Sequence, residues 1–195
     1  MSHKLTLDDL LKLEDYAAQR PAFRTRVLEH KRARKLHLGE HMTLLFEDRL
    51  TIQYQIQEML RIERIFEPAG KQEELDAYNP LIPDGCNWKA TCLIEFEDER
   101  ERHKRLAELK GIEQRIWTQV QGQAKVPAIA DEDMERSNEQ KTSAVHFLRF
   151  ELQPAMIKAL RNGAALQFGV DHPQYRQAQA VSDTVRAALL ADLAI

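Results

Sequence analysis

The run from Thr51 to Phe66 constrains this chain most, because it holds an apolar stripe with a carboxylate inside it. At ~100° per residue a helix places Ile52, Ile56, Met59 and Phe66 within about 40° either side of one direction. Glu63 falls in the same arc. Leu50 to Gln57 also alternates as a strand does, but Gln, Glu, Met, Leu and Arg favour helix over the whole run. Apolar side chains on several faces predict that this long helix is buried. A carboxylate turned into a core must be paired, hydrogen-bonded, protonated or bound to a metal, since bare burial costs too much. Glu63 is therefore the first candidate site residue.

The rest of the chain punctuates itself. Thr6 and Asp9 resemble a capping box ahead of a short amphipathic helix carrying Leu7, Leu10, Leu11 and Tyr16. Pro21 suits the first turn of a second helix running to about Lys35, so an N-terminal helical segment covers about 5–37. Gly39 breaks it, and His41 to Asp48 reads as a strand. Tyr78 to Lys89, with two prolines and a Pro-Asp-Gly turn, reads as an ordered loop. A strand at Ala90 to Phe96 precedes a charged helix from about Asp98 to Lys110, closed by Gly111.

Ile112 to Val120 and Lys125 to Ile129 look like paired strands around Gly122. Acidic Asp131 to Gln140 is a short helix or loop, and Ser143 to Leu152 alternates as a strand. Pro154 opens a helix that stops at Gly163, and Ala165 to Val170 is another strand. A C-terminal amphipathic helix is expected from His172-Pro173, with Tyr175, Ala178, Ser182, Val185, Leu189 and Leu193 on one stripe. Strands interspersed with helices, plus the hairpin near Gly122, predict one α+β domain over 1–195. Its sheet should be mixed or antiparallel, with five to six strands.

The chain has 195 residues, 43% apolar and 30% charged, a globular balance with a core of ordinary size. A net charge of -3 argues against a surface built for nucleic-acid backbones. No window reaches the ~18 uncharged apolar residues a membrane span needs, and the first residues do not read as a secretory signal. Two cysteines, Cys86 and Cys92, fit a reducing compartment, so a cytoplasmic location is expected. They supply no ligand set for an iron–sulfur cluster. There is no flavin or nicotinamide motif, no phosphate loop and no nucleophile elbow.

Three constellations could carry chemistry. In the strand Ser143 to Leu152, His146 points the same way as Ala144, Leu148, Phe150 and Leu152. An inward Glu63 and an inward His146 could meet, either to bind a metal or run acid–base chemistry, or as a hydrogen-bonded core pair. Arg149 on the other strand face needs a partner, with Glu47 or Glu95 the nearest candidates and Arg49, Glu58 and Arg61 extending the network. The second constellation is cationic: Arg20, Arg24, Arg26, Lys31, Arg32, Arg34 and Lys35 stand against Glu29 alone. Such a face could grip an acidic protein, unless the acidic tracts at 95–101 and 131–139 neutralise it within the fold or a homo-oligomer. The third is the loop, where Tyr78, Asn79, Asp84 and Trp88 could line a pocket or pack as an anchor.

Leu5-Thr-Leu-Asp-Asp-Leu-Leu, Leu44-Leu-Phe-Glu-Asp-Arg-Leu-Thr, Tyr54-Gln-Ile-Gln-Glu-Met-Leu-Arg, Leu75-Asp-Ala-Tyr-Asn-Pro-Leu-Ile-Pro-Asp and Lys141-Thr-Ser-Ala-Val-His-Phe-Leu-Arg-Phe carry a resemblance. Together they resemble a bacterial family of unknown function over nearly the whole chain. Its members are often encoded beside rubrerythrin and a cysteine-rich iron–sulfur oxidoreductase. The resemblance implies an accessory role among redox or iron-handling partners, and it assigns no catalytic residue.

Overall fold

The structure, a computed structural model, describes residues 4–134, 136–138 and 140–194. After a 3-10 turn at Leu7–Asp9 come α1 (Leu13–Arg32), β1 (Lys35–His37), β2 (Met42–Phe46), α2 (Arg49–Glu63) and α3 (Pro68–Tyr78). Then follow β3 (Asn87–Ile94), α4 (Glu99–Glu108), β4 (Ile116–Val120), β5 (Val126–Pro127), β6 (Ile129–Ala130) and β7 (Val145–Glu151). The chain closes with α5 (Pro154–Arg161), β8 (Leu166–His172), β9 (Tyr175–Ala180) and α6 (Asp183–Ala191).

Among the described residues the strands form two sheets, ordered β1-β2-β3-β7-β6 and β5-β4-β8-β9. Every pairing is antiparallel, so the α+β architecture is as expected, although the strands are shared between two sheets. Alternation explains which side is buried. Trp88, Ala90, Cys92 and Ile94 of β3 and His146, Leu148 and Phe150 of β7 turn inward. Phe168 of β8 meets them from the other sheet, with ring centroids 5.0 Å from Phe46, 5.8 Å from Trp88 and 5.1 Å from Phe150. The Trp88 indole N–H donates to the Leu189 carbonyl at 2.9 Å and so fastens α6 to this core. The chain passes between the sheets at buried Ala128, which separates β5 from β6.

A second, smaller core joins Leu5, Ile52, Ile56, Leu60, Leu75 and Ile82, and builds a helical layer from α2, α3 and the N-terminus. Asn79 clips that terminus by accepting from Leu5 N–H at 2.8 Å and donating to its carbonyl at 3.0 Å. Gly39 is needed at its turn. Its φ of 73° favours glycine, and a Cβ would lie 2.7 Å from the Tyr175 hydroxyl. No helix of the described residues is long and apolar enough to cross a membrane.

Four local expectations are corrected. Pro21 lies inside α1, which starts at Leu13: the good helix formers on either side outweigh one lost hydrogen bond. The helix also stops at Arg32, and Lys35–His37 is a strand because Leu36 pairs with Leu44 and is buried. The loop at Tyr78–Lys89 is shorter than expected, holding a 3-10 turn at Asn79–Leu81 and the start of β3 at Asn87. Residues 175–180 are strand rather than helix. Their 3–4 spacing is a coincidence of tyrosine and alanine positions, and the helix begins where Ser182 caps Val185 N–H.

Candidate functional site

The run at Thr51 is helical, but its C-terminal end corrects the first candidate. The buried face of α2 comprises Thr51, Ile52, Ile56, Gln57 and Leu60. Glu63 keeps the phase of that face, yet it lies beyond Leu60, the last buried residue, and is exposed. Arg64 then turns left-handed at φ 56°, and Ile62 and Phe66 stand 60% and 56% exposed. Met59 is half-buried, so the helix is buried along one face only. Phase alone does not bury a side chain; a covering layer must also reach that far.

His146 is fully buried, and Glu63 is not among its partners. Its Nδ1 lies 2.5 Å from Asp131 Oδ2. Its Nε2 lies 2.9 Å from Thr142 Oγ1, 3.1 Å from the Ser143 carbonyl and 3.9 Å from Glu113 Oε2. Thr142 and Ser137 hydroxyls each donate to Glu113 at 3.0 Å. Asp131, held at φ 52°, accepts Phe147 N–H at 3.0 Å. This is a satisfied core network that no substrate reaches. The proposed metal pair of Glu63 and His146 is thus not assembled, since one member faces water and the other is sealed. Among the described residues no three His, Cys, Asp or Glu side chains are grouped to hold a metal.

Cys92 lies across the strand pair from His146, which raises the question of a thiolate–imidazole pair. Burial first, then Asp131 and Glu113, push its thiol up to about 12, so it stays protonated and unreactive. We expect one thiol, that of exposed Cys86, to react with a disulfide reagent in the native protein and two after unfolding. Rapid reaction of both thiols in the native state would refute that assignment.

The remaining polar candidates are structural. Glu58 receives the Tyr16 hydroxyl at 2.7 Å, Arg20 at 2.8 Å and Arg61 at 3.1 Å, and these donors, Arg20 foremost, hold its carboxyl down at about 2. It staples α1 to α2. Glu47 accepts from Thr51 at 2.5 Å and Thr91 at 2.7 Å, tying α2 to β3 rather than answering Arg149. Arg49 turns to Asp9 at 2.5 Å. Arg149 is gripped by Glu132 at 2.8 and 2.7 Å and by Glu151 at 2.5 Å.

The loop reading fares differently. A cleft of about 770 Å³ opens between the outer face of β3 and β7 and the α3 layer. Tyr78 and Asp84 line it, whereas Asn79 holds Leu5 and Trp88 points into the core. Arg149 from the first constellation lines it as well. The alternation could have revealed Lys89, which stands on the opposite strand face from Trp88 and also lines the cleft. The contributions of Met59, Glu74 and Phe147 carried no local signal, because only tertiary packing brings them there.

The cationic constellation also sorts itself. Arg20 is used by Glu58, and Arg34 is 2% exposed, held by backbone carbonyls and two aspartates. Arg24, Arg26, Lys31, Arg32 and Lys35 have no ion pair among the described residues. Arg24, Leu28, Lys31 and Arg32 follow helical spacing along the outside of α1, where Leu28 is 46% exposed. In the acidic segment, Asp131, Glu132 and Asp133 are occupied by His146, Arg149 and Arg136, so they do not neutralise this stripe. Glu135 and Glu139 lie outside the described residues.

Comparison with known proteins adds a likeness without a chemistry. A crystal structure described as a novel protein of unknown function from Burkholderia pseudomallei K96243 is 54% identical and superposes with a TM-score of 0.93. The match covers 98% of this chain and 100% of that one. No curated protein matches. Residues 4–193 match the family described as protein of unknown function DUF3501, and the chain belongs to that family.

Proposed function

We propose that the chain is a cytoplasmic accessory protein that docks onto an acidic surface of a partner protein through the outer stripe of α1. One observation carries this reading: five cations on and beside one helix lack any ion pair among the described residues, in a chain whose net charge is -3. Exposed Leu28 within the stripe supplies an apolar centre to a charged rim, the usual anatomy of a protein contact. Nucleic acid fits less well, because Phe23, the aromatic of this segment, is stacked on Tyr54 at 6.0 Å and is not free to meet bases. The resemblance across the chain points to rubrerythrin-like proteins and iron–sulfur oxidoreductases as the partners.

The test is a binding titration against a purified rubrerythrin and a purified cysteine-rich iron–sulfur oxidoreductase. Binding at about 50 mM salt should weaken severalfold at about 300 mM, because the rim charges are screened. The variant Arg24→Glu/Lys31→Glu/Arg32→Glu, altered at two exposed positions and one half-buried one, should lose at least about tenfold while keeping its fold. Failure of both proteins to bind, or binding indifferent to salt and to the triple variant, would sink the proposal.

A further inference from the structure

The cleft behind the Tyr78 segment contains a cation with no direct ion pair among the described residues. Lys89 of β3 stands directly across the strand pair from Arg149 of β7. Like charges in that position repel, so an anion is needed between or beside them. Arg149 already has two, Glu132 at 2.8 and 2.7 Å and Glu151 at 2.5 Å. Lys89 is half-buried and has no hydrogen bond or ion pair from its amine among the described residues. Burial first, and Arg149 second, hold that amine below the usual lysine range against the longer-range pull of Glu132, Asp84 and Glu151. An ammonium in this position gains from an anion that pairs with it directly.

The walls define what kind of anion that is. Met59, Leu81 and Phe147 offer apolar surface beside Lys89, and the volume of about 770 Å³ suits a small organic molecule. Glu74 and Asp84 stand in the same lining and repel a second negative charge. Burial, then Glu63 and Glu73, push the Glu74 carboxyl above its ordinary value, as expected where negative charge is already crowded. Nucleotides and inorganic phosphate are thereby disfavoured against a singly charged acid.

We infer that this cleft binds a small organic acid with one carboxylate and an apolar body, its carboxylate seated on Lys89 and its body against Met59, Leu81 and Phe147. No residue of α1 lines the cleft, so the site stands independently of the docking stripe. The test uses octanoate, with octan-1-ol as its uncharged counterpart, titrated into the full ¹⁵N-labelled chain. Saturable octanoate binding should shift amides at 78–89 and 147–149, with octan-1-ol binding more weakly. Lys89→Met should weaken octanoate at least about tenfold and leave octan-1-ol unchanged, while Lys89→Arg keeps octanoate affinity within about threefold. Because Lys89→Met also removes the repulsion with Arg149, its melting midpoint should not fall. The inference is overturned by no saturable octanoate binding, by shifts gathered elsewhere, by equal affinity for the alcohol, or by unchanged octanoate affinity in Lys89→Met.

Discussion

Replacing Arg34 with methionine is expected to destabilise the fold by about 3–5 kcal/mol and to lower the melting midpoint by roughly 10 °C. The guanidinium donates to the Phe46 carbonyl at 3.0 Å and the Glu47 carbonyl at 3.1 Å, joining the end of β2 to the entry of α2. It also contacts Asp192 at the end of α6 and lies 3.4 Å from Asp48, the residue that caps α2. His30 reaches the same Asp48 oxygen at 2.5 Å. Methionine would fill the space but leave two enclosed carboxylates and two carbonyls short of a donor. The double variant Arg34→Met/Asp192→Leu should recover much of the loss, because it removes a charge that burial penalises. A melting midpoint for Arg34→Met within about 2 °C of wild type would show that water answers these groups instead.

The same network sets a pH dependence with a definite sign. Burial, only partly offset by Arg34, lifts the Asp192 carboxyl from 3.8 to about 6. The folded protein therefore holds that proton more tightly than the unfolded chain does, and this group's contribution to stability is greatest below about 4. It declines as pH rises through about 6, by ~3 kcal/mol at most from this group. Asp192→Asn should lack that contribution, so its stability relative to wild type should rise between pH 4 and pH 7. An Asp192→Asn difference that is flat over this range would mean that Arg34 fully compensates the buried charge.

What could be read in the sequence was periodicity and punctuation. Pro154 and Gly163 bracket α5, and the alternation at 145–151 turns His146 inward as expected. Partnership between distant segments was not legible. The partners of His146 lie at Asp131 and Glu113, and nothing in the local spacing of either announces the contact. Glu63 failed for a related reason. Its angle on α2 was right, but the extent of the covering layer is a property of α3 and the N-terminus rather than of residues 51–66. The cleft was half legible: the turn residues suggested a structured segment, while Lys89 opposite Arg149 emerges only from strand register.

Replacing His146 with leucine should cost about as much as the loss of Arg34, ~3–5 kcal/mol, and the loss should begin locally. Both imidazole nitrogens have hydrogen-bond partners. Nδ1 meets an Asp131 oxygen at 2.5 Å, and Nε2 meets the Thr142 hydroxyl at 2.9 Å and the Ser143 carbonyl at 3.1 Å. Arg136 lies 3.4 Å from the same Asp131. Leucine matches the bulk but makes no hydrogen bond, so the Asp131 carboxylate and the Thr142 hydroxyl would be left facing apolar surface. Amide exchange between 131 and 142 should accelerate first, because Asp131 and Thr142 both bond to this ring and so pin that segment to β7. His146→Leu/Asp131→Asn/Glu113→Gln should regain stability relative to His146→Leu, since the enclosed carboxylates go with the ring that bonded to this network. If the triple variant is no better than the single one, the ring contributes by its shape and not by its hydrogen bonds.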